Sequence, residues 1–480
     1  MVASSLVCAG CGLVPPPLEE QSYPFRCARA SPAGAPVKAT GSPDVDHVVR
    51  RVLNPVQVAW PGGVEPNPFL RYRRLLHAYH VARGRGLSDG DLVALVERLD
   101  RAVAGVDGRG FAATPFEPQD ALAAAVGLRA GRLWVKDETG NVSGSHKARH
   151  LMGVAIYLEV VDALGLRPAR QGPLAIASCG NAALAAAVLA RAAGRELQVF
   201  VPTWAEAPVV AALTRLGARV TVCSREAGVA GDPCYLRFRD AIGRGAVPFC
   251  CQGPDNGLTI EGGETIAWEM IDALGGRTLD RLFVQVGGGA LASACAQGFA
   301  DAARLGRLAR LPRLHTVQTR GGFPLARAYD RLACAIAERL DLPAPVHDSP
   351  AARADAILAR AGDPIVGKAL ADAATHRSAY MWPWETEPRS IAHSILDDET
   401  YDWMAVCEEM IRTGGYPVVV DEDTLMRANA LARDTTGVDV DHTGTAGLAG
   451  LMQMVADGAD LGDETIALLF TGVRRSVATG

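Results

Sequence analysis

The stretch Leu174-Ala175-Ile176-Ala177-Ser178-Cys179-Gly180-Asn181, running into the alanine-rich segment 182–193, decides the fold. Four apolar residues closed by a polar Ser/Gly/Asn turn predict a buried strand. The Ala/Leu/Val run after the turn has the length and composition of a helix, and Gly194 stands where helices commonly end. The unit recurs as strand 198–201, helix 207–216 stopped by Gly217, and strand 219–222. It returns as strand 282–286, turn Gly287-Gly288-Gly289, helix 290–303 and strand 314–317. Apolar strands without polar alternation, separated by helices, predict an α/β protein with mostly parallel sheets flanked by helices.

At about 150 residues per domain, a chain of 480 residues has room for roughly three structural units. A hydrophobic fraction of 49% against 21% charged residues excludes a disordered or low-complexity chain. The net charge of −5 offers no cationic excess to displace counterions from a phosphate backbone, so no nucleic-acid partner is expected. Eleven cysteines, an odd number, in a chain too large to need disulfide staples fit a reducing cytoplasm. Residues 1–13 lack a basic residue ahead of an apolar stretch and do not read as a signal peptide. The uncharged runs 171–190 and 284–300 carry too much Pro, Gly, Ser and Asn for a lipid span, and no membrane partner is expected. Clusters at Pro15-Pro16-Pro17, Pro61-Gly62-Gly63 and Pro66-Asn67-Pro68 mark an N-terminal extension holding a helix such as 89–104. The segment 341–386 reads as an insertion, interrupted by Pro343, Pro345, Pro350 and Pro364 and ending in an ordered Trp382-Pro383-Trp384 loop.

Two stretches carry chemistry. In Lys136-Asp137-Glu138-Thr139-Gly140-Asn141-Val142-Ser143-Gly144-Ser145-His146-Lys147-Ala148-Arg149, a strand ends in a Gly/Ser/Asn turn and Lys147 opens a helix. The positive end of a helix dipole disfavours an ammonium group there, and a neutral amine is what Schiff-base chemistry requires; a solvated surface lysine is the alternative. In 284–291, a strand meets three glycines and a helix start, a turn whose freed amides suit a phosphate. Gly287, Gly289 and Ala292 also fit a dinucleotide fingerprint, but the next strand ends in Gln318-Thr319-Arg320 rather than in the acidic residue a ribose needs. A packing turn is the other reading. A helix-opening lysine and a later phosphate cradle together suggest pyridoxal phosphate, whose aldehyde meets a lysine and whose phosphate meets backbone amides.

At these residues the sequence resembles the fold-type-II pyridoxal-phosphate enzymes of the tryptophan synthase β superfamily, and among them threonine synthase and its paralogues. The motifs stand in the family's order: Thr114-Pro115, Ser145-His146-Lys147, Ser178-Cys179-Gly180-Asn181, segment 213–220, and Glu261-Gly262-Gly263-Glu264-Thr265. The resemblance implies a two-domain cleft enzyme with an N-terminal extension over 1–109. The larger cofactor-binding domain would be 110–172 plus 252–480, the smaller mobile α/β domain 173–251, and the assembly a homodimer. Lys147 would be the catalytic residue, holding the cofactor as a Schiff base and then moving the Cα proton. Gly287, Gly288, Gly289, Ala290 and Leu291 would bind the phosphate and Asn181 the 3′-oxygen. Thr471 would face the pyridine nitrogen, with Thr443 or Thr445 as competitors. Ser178, Cys179, Gly180 and Arg149 would bind a small amino-acid substrate. The implied activity is a lyase or synthase that eliminates, and then replaces, a Cβ or Cγ substituent. Threonine-synthase-like γ-elimination and hydration leads, with threonine/serine ammonia-lyase and β-replacement as alternatives and a catalytically silent amino-acid-binding paralogue as the different class.

The sequence departs from the family at several points. His150 follows Arg149, Glu264 replaces the lysine of the EGxKT run, Asp441-His442 stands where Glu-Pro is common, and Cys179 replaces a serine. A second phosphate needs cationic partners, so these changes argue against a phosphorylated substrate such as O-phosphohomoserine. Cys8, Cys11 and Cys27 have the look of a zinc knuckle, but Ala30 stands where a partner to Cys27 is expected. No metal is expected from three thiols. His146 and His150, one helical turn apart, lack a third ligand of sensible spacing. Cys179 at a helix start reads either as a reactive thiol or, more simply, as part of a carboxylate-binding turn. Segment 381–389 is a candidate cover for the substrate.

Overall fold

The computed structural model describes residues 2–30, 44–169, 171–226, 229, 231–343, 346 and 349–475. In chain order its strands are β1 (Ser4–Cys8), β2 (Val49–Leu53), β3 (Phe116–Pro118), β4 (Leu133–Asp137), β5 (Leu174–Ala177), β6 (Leu197–Pro202), β7 (Arg219–Cys223), β8 (Val247–Pro248), β9 (Arg281–Gln285), β10 (Arg313–Thr319), β11 (Val418–Val420) and β12 (Ile466–Phe470). A six-stranded sheet has the order β11-β10-β9-β12-β4-β3, parallel except for the edge strand β3. A wholly parallel four-stranded sheet has the order β7-β6-β5-β8. β1 and β2 form a separate antiparallel pair. Every residue of β5 and β12 is buried, because helices cover both faces of each parallel sheet.

The helix Lys147–Ala163 lies between the layers and is buried on all sides. It packs on the helices Thr259–Leu274 and Asn181–Ala192. The first contact is close: a Cβ on Gly262 would stand 2.1 Å from the Arg149 carbonyl oxygen, and one on Gly263 2.2 Å from His150 Cε1. The two glycines therefore make room for the bulk of His150, and Glu261–Thr265 is a helix-packing surface. Glu264 turns away from the cleft and pairs with Arg51 of β2, which also reaches Asp301 at 2.7 Å, all three side chains being buried.

The N-terminal extension also packs on the smaller sheet's helices. Leu92, Leu95, Val96, Leu99 and Val103 form one stripe of the helix Asp89–Asp107, which a Ser88/Asp91 capping box starts and Gly108 ends. That stripe lies against the helices Lys147–Ala163 and Asn181–Ala192. In the region expected to be an interrupted insertion, Pro350 and Pro364 each open a helix, Pro350–Leu358 and Pro364–Thr375. Proline is well tolerated in the first turn, where its missing N–H costs no bond. Pro345 lies outside the described residues. Among the described residues no helix is long and apolar enough to cross a membrane.

Candidate active site

β9, β12 and β4 are adjacent, so the loops leaving their C-terminal ends converge, as ligand-binding loops of parallel sheets do. Lys147 follows β4. The chain before it is tied to the end of β12: Ser145 bridges to Gly472, and the His146 N–H donates to the Thr471 carbonyl at 3.2 Å. The Lys147 side chain is half-buried, and its charge acts on the carboxyls of Asp397 and Asp402. The sequence has four lysines, at 38, 136, 147 and 368. Lys136 is sealed in the core, Lys368 is exposed on an outer helix, and Lys38 lies outside the described residues. Lys147 is the lysine that the described cleft holds.

β9 leads into Gly287, Gly288 and Gly289, the last at φ 97° and capping the helix Ala290–Arg304. A Cβ on Gly287 would stand 2.4 Å from Asp397 Oδ2, and one on Gly288 2.9 Å from the Tyr401 ring. The Gly288 N–H donates to the Asp397 carboxyl, while the Thr400 hydroxyl donates to the Gly287 carbonyl at 2.8 Å. This turn therefore already holds an anionic group beside a helix start. Burial pushes Asp397 up to about 6 against the pull of Lys147, and pushes neighbouring Asp402 up to about 8. Ala290 and Leu291 are buried in the first turn of the helix.

The smaller sheet contributes the end of β5. Ser178, Cys179 and Gly180 are half-buried there, and Asn181 opens its helix. Asn181 Oδ1 accepts from Arg475 at 3.0 Å, and a Cβ on Gly472 would stand 2.7 Å from Asn181 Nδ2. The two sheets thus meet between Asn181 and the residues after β12. Burial, with Asp232 and Asp397 adding to it, pushes the Cys179 thiol up to about 12. A shift in that direction favours the protonated thiol and speaks against the reactive-thiol reading.

Segment 394–402 spans both halves. The Ser394 N–H donates to Thr443 at 3.3 Å, and its side-chain oxygen lies 3.6 Å from a Cβ position on Gly180. Segment 381–389, expected to cover the site, packs on Gly321 and Arg327 and is tied to segment 394–402, the Trp384 N–H donating to the Asp398 carbonyl at 2.8 Å. A Cβ on Gly321 would stand 1.8 Å from the Arg389 carbonyl oxygen, and the rings of Trp382 and Trp384 lie 3.8 and 5.0 Å from the Arg327 guanidinium.

Thr471 closes the group. Its hydroxyl accepts from Gln285 Nε2 at 2.7 Å, and the same amide nitrogen donates to the Gly444 and Leu469 carbonyls. Because carbonyls only accept, this end of Gln285 must be the NH₂ group, so the Thr471 hydroxyl accepts there and keeps its own proton to give. Gln285 Oε1 is buried without a hydrogen-bond partner. Sequence reasoning missed Gln285; its signal was a polar residue ending an otherwise apolar strand. Thr445 is fully buried and bonded to Asn429, and Thr443 is taken by Ser394.

Arg149 does not face the cleft, contrary to the substrate-binding role expected of it. Its guanidinium is fully buried and donates to Glu138 at 2.8 and 3.0 Å, to Glu269 at 2.7 and 3.0 Å, and to Thr114 and Thr265. Arg149 stands two residues on from Lys147 and points to the opposite face of the helix. His146 and His150 direct Nδ1 to the Thr471 and Thr259 carbonyls, and burial lowers both below the usual histidine range.

Residues 109–375 match the family of pyridoxal-phosphate dependent enzymes. The chain belongs to that family. Pyridoxal phosphate is accordingly its cofactor, and the residues fit the group. The glycine turn has an amide that already binds an oxyanion, a half-buried lysine lies within electrostatic reach of it, and a threonine hydroxyl is fixed as a donor between β9 and β12. The chain's likeness to known proteins is distant in sequence. A threonine synthase of Methanosarcina acetivorans is 28% identical over 368 residues, 75% of this chain and 74% of that protein. One of Methanocaldococcus jannaschii is 24% identical over 365 residues, again 75% and 74%. Among solved structures, a threonine deaminase of T.th. has a TM-score of 0.51 at 20% identity, covering 80% of this chain and 99% of that one. A pyridoxal 5′-phosphate-dependent aspartate racemase has a TM-score of 0.54 at 18% identity, covering 81% and 97%. These structural likenesses establish the fold.

Proposed function

We propose that this pyridoxal-phosphate enzyme is a lyase or synthase that removes the Cα proton of a small α-amino acid and expels a substituent from Cβ or Cγ. The observation that carries the reading is Lys147, half-buried at the start of its helix after β4, with its charge acting on Asp397 beside the glycine turn. Bound pyridoxal phosphate supplies an electron sink that makes a Cα proton removable. In this reading Lys147 Nζ takes that proton and returns it. The amides from Ser178 to Gly180, at a helix start, receive the substrate carboxylate, and Asn181 orients the ring oxygen. Gly287 to Leu291 hold the phosphate. Thr471, a neutral donor kept in that role by Gln285, meets the ring nitrogen without protonating it, which favours elimination over transamination. Asn181, Ser394 and the segment up to Asp402 exclude water.

Threonine-synthase-like γ-elimination followed by hydration is the leading reaction, supported by the sequence relatives. β-Elimination from threonine or serine is the second reading, favoured because Arg149 is engaged in the core and the Asp397 carboxylate lies near Lys147, which disfavours a second phosphate. Offering O-phosphohomoserine, threonine, serine and O-acetylserine separately to the loaded enzyme decides between them. Phosphate and threonine from the first substrate establish the leading reaction, and ammonia from threonine or serine establishes the second. Failure of all four, with no cofactor trapped on Lys147 by borohydride, leaves a silent amino-acid-binding paralogue.

Asp397 sets a pH-dependent cofactor affinity. Above about pH 6 its carboxylate competes with an incoming phosphate for the Gly288 amide and repels it. Asp397→Asn is expected to tighten pyridoxal-phosphate binding about tenfold, about 1.4 kcal/mol, near pH 8. The advantage should vanish as the pH falls below about 5, where the wild-type carboxyl is protonated. Fluorescence titration across that range checks it; a weaker-binding variant, or a difference independent of pH, would rule the competition out. The sign for folding is the same: a carboxyl whose value is raised from 3.8 to about 6 favours the fold below the lower value and ceases to do so as pH rises through the upper.

A further inference from the structure

Outside the cleft, Cys8, Cys11, Cys27 and His47 bring one ligand atom each to within 4.8 Å of one another. Ala30, where the spacing after Cys27 places a fourth ligand, has no donor atom in its side chain. The fourth comes from a different element. In the β1/β2 pairing Cys8 stands opposite Val49, and the Ala9 N–H donates to the Val48 carbonyl at 2.8 Å, so His47 is carried beside the Cys8–Cys11 turn. The distances are those a tetrahedral ion imposes. Zn–S bonds of about 2.3 Å and Zn–N bonds of about 2.0–2.1 Å set edges of about 3.8 Å between sulfurs and about 3.5 Å between sulfur and nitrogen. Cys11 Sγ and Cys27 Sγ are 3.6 Å apart, and Cys8 Sγ and His47 Nδ1 are 3.5 Å apart.

The backbone contributes as well. The Arg29 N–H donates to Cys27 Sγ at 3.4 Å. An amide donor aimed at a sulfur is the kind of outer-shell contact that holds a thiolate on a metal. Gly12, at φ 70°, makes the tight turn that returns the chain after Cys11. We propose that Cys8, Cys11, Cys27 and His47 bind a structural zinc ion that clamps the start of the chain to the segment leading into β2. Three thiolates and an imidazole with no open position suit Zn²⁺ in a structural role.

The clamp is mechanically connected to the cleft. Next to His47, the Asp46 N–H donates to the Ala374 carbonyl at 2.8 Å and the Asp46 carboxyl pairs with Arg377 at 3.4 Å. Arg377 in turn holds Glu399, within the segment that crosses the glycine turn. Loss of the ion is therefore expected to loosen that segment and to weaken cofactor retention as well as to lower the thermal midpoint.

The test is elemental analysis of the full-length protein, purified under reducing conditions without chelator. A single zinc per chain is expected, retained when pyridoxal phosphate is removed and released when a mercurial titrates the thiols. Replacement by Co²⁺ should give the intense visible bands of a tetrahedral site with sulfur-to-cobalt charge transfer. Cys27→Ser should lose the metal, and His47→Cys, which restores a four-ligand set, should keep it even if Cys27→Ser fails to fold. A fully reduced chain that carries no metal and takes up neither Zn²⁺ nor Co²⁺ overturns the proposal. So does a resident Cys11–Cys27 disulfide in a non-reducing peptide map, or zinc that persists in a folded Cys27→Ser variant.

Discussion

Lys147→Ala is expected to lower turnover by about 10³-fold or more, because a positioned general base alone is worth roughly 10²–10⁴-fold and Lys147 would also anchor the cofactor. The side chain has no substitute in the described cleft: of the other lysines, Lys136 is sealed against Glu269 and Lys368 is on an outer helix. The variant should still bind pyridoxal phosphate, since the glycine turn, Asn181 and Thr471 are untouched, but borohydride should no longer fix it to the chain. Added small amines should restore part of the rate, because they can enter the space left by the side chain and carry the same proton; a purely structural lysine would show no such rescue. Peptide mapping of the reduced wild-type protein should place the label on Lys147. Activity within about tenfold of wild type, or a label on another lysine, would sink the assignment.

Arg149→Met carries the largest expected loss of stability, about 3–5 kcal/mol, measured by denaturant unfolding of the loaded enzyme. Its guanidinium lies between Glu138 and Glu269, both buried, and the remaining cation, Lys136, already bonds Glu269 and the Thr114 carbonyl. Burial pushes Glu269 up, but Arg149 and Lys136 outweigh it and hold the carboxyl below its ordinary range. A carboxyl lowered in the fold stabilises above its ordinary value, and that contribution is lost as pH falls through the lowered one. Without Arg149 one of the two carboxylates must be buried unpaired or take up a proton. The variant's deficit should therefore be larger near pH 8 than near pH 5. Had Arg149 bound the substrate carboxylate, the substitution would instead raise KM and leave unfolding unchanged.

These two neighbours separate what the chain's local pattern determines from what packing decides. Lys147 and Arg149 sit in one motif, and the motif alone made both look functional. A helix turns by about 100° per residue, so the side chains of residues two apart diverge. Lys147 opens toward the loops after β9 and β12, and Arg149 enters the core between Glu138 and Glu269. Glu264 follows the same logic. As a departure from a motif it looked like a change in substrate choice; its partner Arg51 lies in β2, far away in sequence, which no local pattern announces.

Local pattern suffices for the βα units, the α/β class, the helix-opening lysine, the glycine turn and the Ser178–Asn181 turn, because strand, helix and turn preferences act over a few neighbouring residues. Which distant residues meet is a matter of the folded packing. That packing set Asp397 on the Gly288 amide, made Gln285 the group that fixes the Thr471 hydroxyl, and carried segment 394–402 between the two sheets. It also brought His47 to three cysteines. These are contacts between side chains on separate elements, and they are fixed by sheet order, register and burial, which exist only once the whole chain has folded.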